Sequence, residues 1–268
     1  MIPRWAGTKL RPQSRLLPSF IVFGSQRCGT TSLYHYLTQH PCIAASLRKE
    51  VHFFDHHYTK GESWYRAHFP TVAEQKSAQH LITGEASPYY IFHPLVASRV
   101  AAMLPDVKLI ALLRNPIDRA HSHYYHERKK GAEPLSFAEA IEREPERLRG
   151  EREKIIADPN YYGFSHHHHS YLTRGIYVDQ LKVWMEHFRR EQFLIIKSED
   201  FYSDPGTTTQ RIFEFLDLPP QPAQDYRNYN SNSYKKMDGA MRSELIEFYQ
   251  PHNARLAEYL GMSFDWDK

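Results

Sequence analysis

Phe20-Ile21-Val22-Phe23 is an unbroken apolar, β-rich run closed by Gly24, and a glycine-containing loop follows at once. The run is too short for a helix and reads as a buried strand. From Thr30 to Gln39 the period changes, because Leu33, Tyr34 and Leu37 recur at helical spacing before Pro41 ends the stretch. The alternation returns twice. Lys108 to Leu113 is predicted as a strand, with Asn115 and Pro116 as N-cap and first residue of a helix running to about Lys130 and Asp118 in its first turn. Ile176, Leu181, Trp184 and Phe188 mark a helix before a third strand, Phe193 to Lys197, and Asp204-Pro205 opens another helix. Strands alternating with helices predict an α/β fold, a parallel sheet covered by helices on both faces.

The remaining segments are polar. Glu139 to Lys154 mixes acids and bases with little apolar content and reads as a solvated helical insertion. Pro219 to Ser233, rich in Pro, Gln, Asn and Tyr, reads as a loop before a final amphipathic helix, Met241 to Leu260. No internal repeat or shift in composition divides the 268 residues, so one domain over 19–268 is expected behind an N-terminal extension, 1–18.

Composition narrows the function classes. A chain with 41% hydrophobic and 24% charged residues is soluble and globular, and no apolar run approaches the ~18 residues of a membrane span. The net charge of +3 is too mild to imply nucleic acid, although 17 histidines leave room for anionic ligands. Cys28 and Cys42 cannot build a disulfide framework, and the basic N-terminus lacks the apolar core of a secretory signal. A cytoplasmic protein is the expectation, with a lumenal catalytic domain cut from its anchor as the alternative.

The chemistry gathers where strand turns to helix. Gly24-Ser25-Gln26-Arg27-Cys28-Gly29-Thr30-Thr31 lies between the first strand and its helix, where backbone N–H groups and the helix dipole converge on an anion. Its GxxxxG spacing is that of a nucleotide P-loop, but Thr30 replaces the lysine and Arg27 places a cation inside the loop. Taken alone it is equally an ordinary glycine turn. Arg114 stands at the carboxyl end of the second strand with Ser122 on the next helix, a guanidinium fork and a hydroxyl suited to a second phosphate. Pairing of Arg114 with Asp118 is the plainer alternative. His166 to His169 lack the fixed spacing of a metal site and are expected in a flexible loop.

Together the two anion motifs resemble the 5′-phosphosulfate loop and the 3′-phosphate site of sulfotransferases that use 3′-phosphoadenosine 5′-phosphosulfate. Lys49-Glu50-Val51-His52-Phe53-Phe54-Asp55, Tyr58, Lys60-Gly61 and Trp64-Tyr65 resemble the heparan sulfate N- and 3-O-sulfotransferase pattern. Gly84-Glu85-Ala86-Ser87-Pro88, Gly175-Ile176-Tyr177 and Phe248-Tyr249-Gln250-Pro251-His252-Asn253 continue it in order, from about residue 19 to 260. The resemblance implies a P-loop-containing parallel sheet and in-line transfer of a sulfo group to a hydroxyl or amine of a carbohydrate-like or other small acceptor, without a metal. It implies Glu50 as general base, His52 and Asp55 as neighbours that orient or tune it, and Arg27 as the cation that stabilises the departing phosphate. Donor contacts are implied for Gln26, Arg27, Cys28, Gly29, Thr30, Thr31, Arg114, Ser122, Tyr177, Lys235 and Lys236, and acceptor contacts for Lys60, Glu85 and Ser87. Gln26 and Thr31 stand where the 3-O type is more basic, Ala86 where it has lysine, and the C-terminal cysteine pair is absent. Those departures leave the donor in place and point to another acceptor. A P-loop small-molecule kinase and a noncatalytic polyanion-binding protein are the alternative classes; Thr30 in place of lysine counts against the kinase.

Overall fold

The computed structural model describes residues 14–78, 81–222, 226 and 235–266. Most of the expected N-terminal extension and most of the expected loop at 219–233 lie outside these residues.

The chain opens with β1 (Phe20–Gly24), α1 (Thr30–Leu37) and β2 (Ile43–Ala45), then three short helices, α2 (Phe53–His56), α3 (Gly61–Arg66) and α4 (Val72–Ser77). β3 (Ile82–Ala86), α5 (Val96–Met103), β4 (Lys108–Leu113) and α6 (Pro116–Lys129) follow. An excursion through α7 (Phe137–Glu142), α8 (Glu144–Leu148), α9 (Glu151–Ala157) and α10 (Phe164–His168) leads to α11 (Tyr177–Met185) and β5 (Phe193–Lys197). α12 (Ser198–Ser203), α13 (Pro205–Phe215) and α14 (Gly239–Leu260) complete the set.

All strand pairings are parallel, in the order β2-β3-β1-β4-β5. After β1 the chain moves to one edge for β2 and β3, then crosses to the other side for β4 and β5. The connections leaving β1 and β4 therefore diverge, and the crevice at their carboxyl ends is where open α/β sheets bind ligands. Alternation along β1 sends Phe20 and Val22 to one face and Ile21 and Phe23 to the other. Leu33, Leu37, Ile212 and Phe213 of α1 and α13 cover the first face. Val100, Leu181, Trp184 and Leu256 of α5, α11 and α14 cover the second. Helices thus flank both faces, as the sequence predicts.

β2 and β3 escape the apolar pattern. β2 has 3 residues, and β3 buries Thr83 and Glu85 in place of apolar side chains. Gly84 is required there, since a Cβ at that position would stand 2.4 Å from the Phe20 ring. Two polar segments also depart from expectation. Glu144, within the segment read as solvated, is 2% exposed and accepts the N–H groups of Leu172 at 2.6 Å and Thr173 at 2.7 Å. A count of charges cannot distinguish such a cap from a solvated acid. His166 to His168 belong to α10 rather than a flexible loop, and His166 and His169 are buried. Arg174 donates to the carbonyls of His166 at 2.9 Å and His167 at 2.8 Å, while the His166 ring stacks on Phe92. Imidazole rings here pack as aromatics, a role hydropathy does not credit. Within the expected extension, Arg15 is buried, donates to the Phe69 carbonyl at 2.8 Å and bridges Thr71 in antiparallel fashion. Among the described residues no helix is long and apolar enough to cross a membrane.

Candidate active site

A cavity of about 620 Å³ opens at the carboxyl ends of β1 and β4 and is lined by both anion motifs together with Glu50 and His52. The Ser25 N–H donates to the Leu112 carbonyl at 2.8 Å, tying the loop after β1 to β4. Gly29, at φ 96°, is the N-cap of α1 and has no side chain to accept the first helical N–H groups. With Gly29, Thr30 and Thr31 on the cavity wall, those donors are left for an anion. A Cβ on Gly29 would also meet the Tyr202 hydroxyl at 2.8 Å. Arg27 takes φ 69°, strained for a residue with a side chain, and its Nε donates to Ser122 Oγ at 3.0 Å. The loop and α6 are thereby joined. Arg114 reaches the Arg27 carbonyl at 3.4 Å, and its own carbonyl accepts from the Tyr177 hydroxyl at 2.9 Å. Asp118, the alternative partner for Arg114, pairs with Arg242 at 2.8 Å. Behind the loop the buried Arg174 guanidinium donates to the Gln26 side-chain oxygen.

His52 is the hub of the second half of the site. At φ 55° it sets its ring between two carboxylates, Nδ1 2.6 Å from Asp55 Oδ2 and Nε2 3.0 Å from Glu50 Oε2. Burial alone would lower the His52 pKa, but Asp55 and Glu50 outweigh it and push it up to about 10. Burial works against ionisation of Asp55 too, yet the His52 charge holds that carboxyl at about 2. Glu50 is likewise held below the usual carboxylate range: burial opposes this, while His52 and Lys49, at 3.2 Å, prevail. Near neutral pH the pair is therefore imidazolium and carboxylate. The Glu50 side chain is 30% exposed on the cavity, so of this pair the member that can accept a proton there is the carboxylate.

A buried network suspends this segment. Glu85 accepts from Tyr65 at 2.6 Å, Ser87 at 2.7 Å and Tyr90 at 3.2 Å. Ser87 Oγ accepts the His52 N–H at 3.3 Å, and the Tyr90 hydroxyl accepts the Phe53 N–H at 2.8 Å. Burial pushes the Glu85 carboxyl up to about 7 against the hydrogen bonds from Tyr65 and Ser87.

Of the residues expected at the donor, Gln26, Arg27, Gly29, Thr30, Thr31, Arg114 and Ser122 line the cavity. Cys28 and Tyr177, expected at the donor, do not, nor do the expected catalytic neighbour Asp55 and the expected acceptor contacts Glu85 and Ser87; all five are buried behind the wall. Burial pushes the Cys28 thiol up, and its carbonyl accepts from Ser198 at 2.7 Å. Lys60 is exposed, its ammonium 4.6 Å over the Trp64 ring, and Lys235 and Lys236 are exposed; none of the three reaches the cavity wall. Asp118, His126 and Lys130 join Ser122 on that wall, spaced one turn apart along one face of α6 and its C-cap. This four-residue spacing is a signal the sequence does carry. His167 from α10 and Ser198, Glu199 and Tyr202 from α12 also line the cavity, and nothing local to them announces it. Burial lowers the His126 pKa to about 4, with repulsion from Lys130 and Arg27 adding to it.

The profile of the family described as the sulfotransferase domain matches residues 17–266. The chain belongs to the sulfotransferase family. The family is one of sulfo-group transferases, which the kinase alternative does not fit. This sulfotransferase is 28% identical to the membrane-associated sulfotransferase kil1 of Dictyostelium discoideum over 93% of its own length and 66% of that protein. It is 28% identical to heparan sulfate glucosamine 3-O-sulfotransferase 3A1 of Mus musculus over 95% of its own length and 65% of that enzyme. The chain thus spans just under two thirds of the length of these relatives. A solved sulfotransferase from Alicyclobacillus acidocaldarius superposes with a TM-score of 0.73 at 30% identity, covering 94% of this chain and 100% of that one.

Proposed function

We propose that this sulfotransferase takes its sulfo group from 3′-phosphoadenosine 5′-phosphosulfate and delivers it to a hydroxyl, or an amine, of a carbohydrate-like or other small acceptor, with Glu50 as general base. One observation carries the reading: a single cavity holds an anion loop, a second guanidinium-hydroxyl pair and a carboxylate kept ionised by His52 and Lys49. The 5′-phosphosulfate sits on the N–H groups of Gly29 to Thr31 beside Arg27, and the 3′-phosphate meets Arg114 and Ser122. The acceptor oxygen attacks sulfur as its proton passes to Glu50. The bond from sulfur to the phosphate oxygen breaks in line, and Arg27 with the helix N-terminus stabilises the charge that develops there. Asp55 keeps His52 charged and oriented, and His52 in turn orients Glu50. The names of the 3-O-sulfotransferase relatives specify a sugar hydroxyl, which supports an acceptor of that kind.

Thermal shift with 3′,5′-ADP, 5′-AMP, ATP and heparin, all without added metal, tests the donor. Only 3′,5′-ADP should stabilise strongly; equal stabilisation by 5′-AMP would show that Arg114 and Ser122 do not read a second phosphate. Mass-spectrometric screening of an acceptor library with the sulfo donor then identifies the acceptor.

A further inference from the structure

A second cavity, of about 350 Å³, lies between α11 and the helices α8 to α10, and it shares no lining residue with the active-site cavity. Its apolar wall comes from Ile176, Val183 and Trp184 of α11 and its N-cap, Ile91 and Phe92 between β3 and α5, and Leu148 of α8. Pockets that hold small organic ligands span about 300–1,000 Å³ and are mostly apolar, with a few polar groups that fix orientation. This cavity has that character, and two of its apolar members are aromatic.

Its polar members are donors. His93 is 6% exposed, and its Nδ1 accepts the Leu95 N–H at 3.3 Å. Burial lowers the His93 pKa to about 3, so the ring is neutral and carries its proton on Nε2. That N–H has no hydrogen-bond partner among the described residues, which leaves a donor at the cavity wall. Arg152 of α9 also lines the cavity, and its guanidinium makes no hydrogen bond or ion pair with any described residue. Asp179, the acid on the rim, is engaged by Arg255. His166 completes this end, its ring stacked on Phe92 and its Nδ1 2.7 Å from the Tyr89 hydroxyl. Burial lowers the His166 pKa to about 2, and repulsion from Arg174, His93 and Arg152 adds to it, so the field around that ring is positive. The buried Arg174 guanidinium stands 5.0 Å over the Phe92 ring and contributes to the same field.

We propose that this cavity is a second ligand site, for a small aromatic carboxylate whose ring lies among Phe92, Val183 and Trp184 and whose acid group turns to the positive end set by His93 and Arg152. An aromatic body suits the ring-lined wall, and the volume admits one or two fused rings. A carboxylate accepts from both an imidazole N–H and a guanidinium, which a neutral apolar ligand leaves unused. The site depends on neither the donor nor the acceptor assigned to the active-site cavity.

Calorimetric titration with 2-naphthoate, with and without saturating 3′,5′-ADP, tests the site. One equivalent should bind in both cases with a Kd below about 1 mM. Naphthalene-2-carboxamide, with the same rings and no charge, should bind at least about threefold more weakly. Arg152→Ala should weaken 2-naphthoate by about three- to tenfold and leave the carboxamide nearly unchanged. Val183→Phe fills the apolar end and should abolish binding of both probes, with thermal melting as the control for folding. Displacement of 2-naphthoate by 3′,5′-ADP would place the probe in the active-site cavity and overturn the proposal. No saturable binding by about 1 mM, equal affinity for the two probes, or unaltered 2-naphthoate affinity in folded Val183→Phe would overturn it as well.

Discussion

Replacing Glu50 with Gln separates proton acceptance from everything else this residue does. The glutamine oxygen can still accept from His52 Nε2, now 3.0 Å from the carboxylate, so the His52 ring keeps its place. Asp55 still faces the other ring nitrogen at 2.6 Å, so His52 stays charged near neutral pH and cannot serve as a substitute base. Loss of a positioned general base costs about 10²–10⁴ in the chemical step, or about 3–5.5 kcal/mol of transition-state stabilisation. Because His52 offers no rescue, the upper part of that range is expected. The pH profile carries the same signature. Wild-type turnover should lose activity in acid only as Glu50 is protonated, below the usual carboxylate range, and stay flat through neutral pH, since His52 keeps its proton until about pH 10. The assay is donor-saturated single turnover on the acceptor found by screening, with 3′,5′-ADP affinity as the control for folding. Turnover in Glu50→Gln within about tenfold of wild type, together with a larger loss in His52→Ala, would transfer the base role to His52 and refute the charge assignment of the pair.

Arg114→Ala removes one charge-assisted contact, about 1.5–3 kcal/mol, and should weaken 3′,5′-ADP by one to two decades while leaving 5′-AMP affinity nearly unchanged; unaltered 3′,5′-ADP titrations would sink its role. Glu144→Ala leaves the N–H groups of Leu172 and Thr173 without their acceptor and should lower unfolding stability in urea by about 1–3 kcal/mol, against a threshold of about 0.5 kcal/mol below which the capping role fails. The Glu85 carboxyl, raised from 4.5 to about 7, binds its proton more tightly in the folded state. Its contribution is complete below pH 4.5 and is lost as pH rises through about 7, a decline on the order of 3 kcal/mol. Glu85→Gln should flatten that part of the stability profile relative to wild type, and parallel profiles for the two proteins would contradict the assignment.

β1, β4, β5 and the helices beside them were legible because each announces itself locally, through a short apolar run or a Pro, Asn or Gly signal at a boundary. The loop from Gly24 to Thr31 and the Arg114 and Ser122 pair stand out as local motifs but are ambiguous one by one, and Glu50, His52 and Asp55 were singled out only by the family resemblance; what the structure adds is that the loop, Arg114, Ser122, Glu50 and His52 line one cavity. β3 was not legible, since burying Glu85 makes physical sense only after Tyr65, Ser87 and Tyr90 arrive to donate to it. The division of labour within the site belongs to tertiary structure as well. Cys28, Tyr177, Glu85 and Ser87 share motifs with cavity residues yet stand behind the wall, while His167 and Tyr202 reach it from distant segments. Residue types and their order along the chain determine which chemistry is available. Which carboxylate is ionised, which histidine is charged and which ring faces the cavity depend on burial and on partners that only folding brings within hydrogen-bond distance.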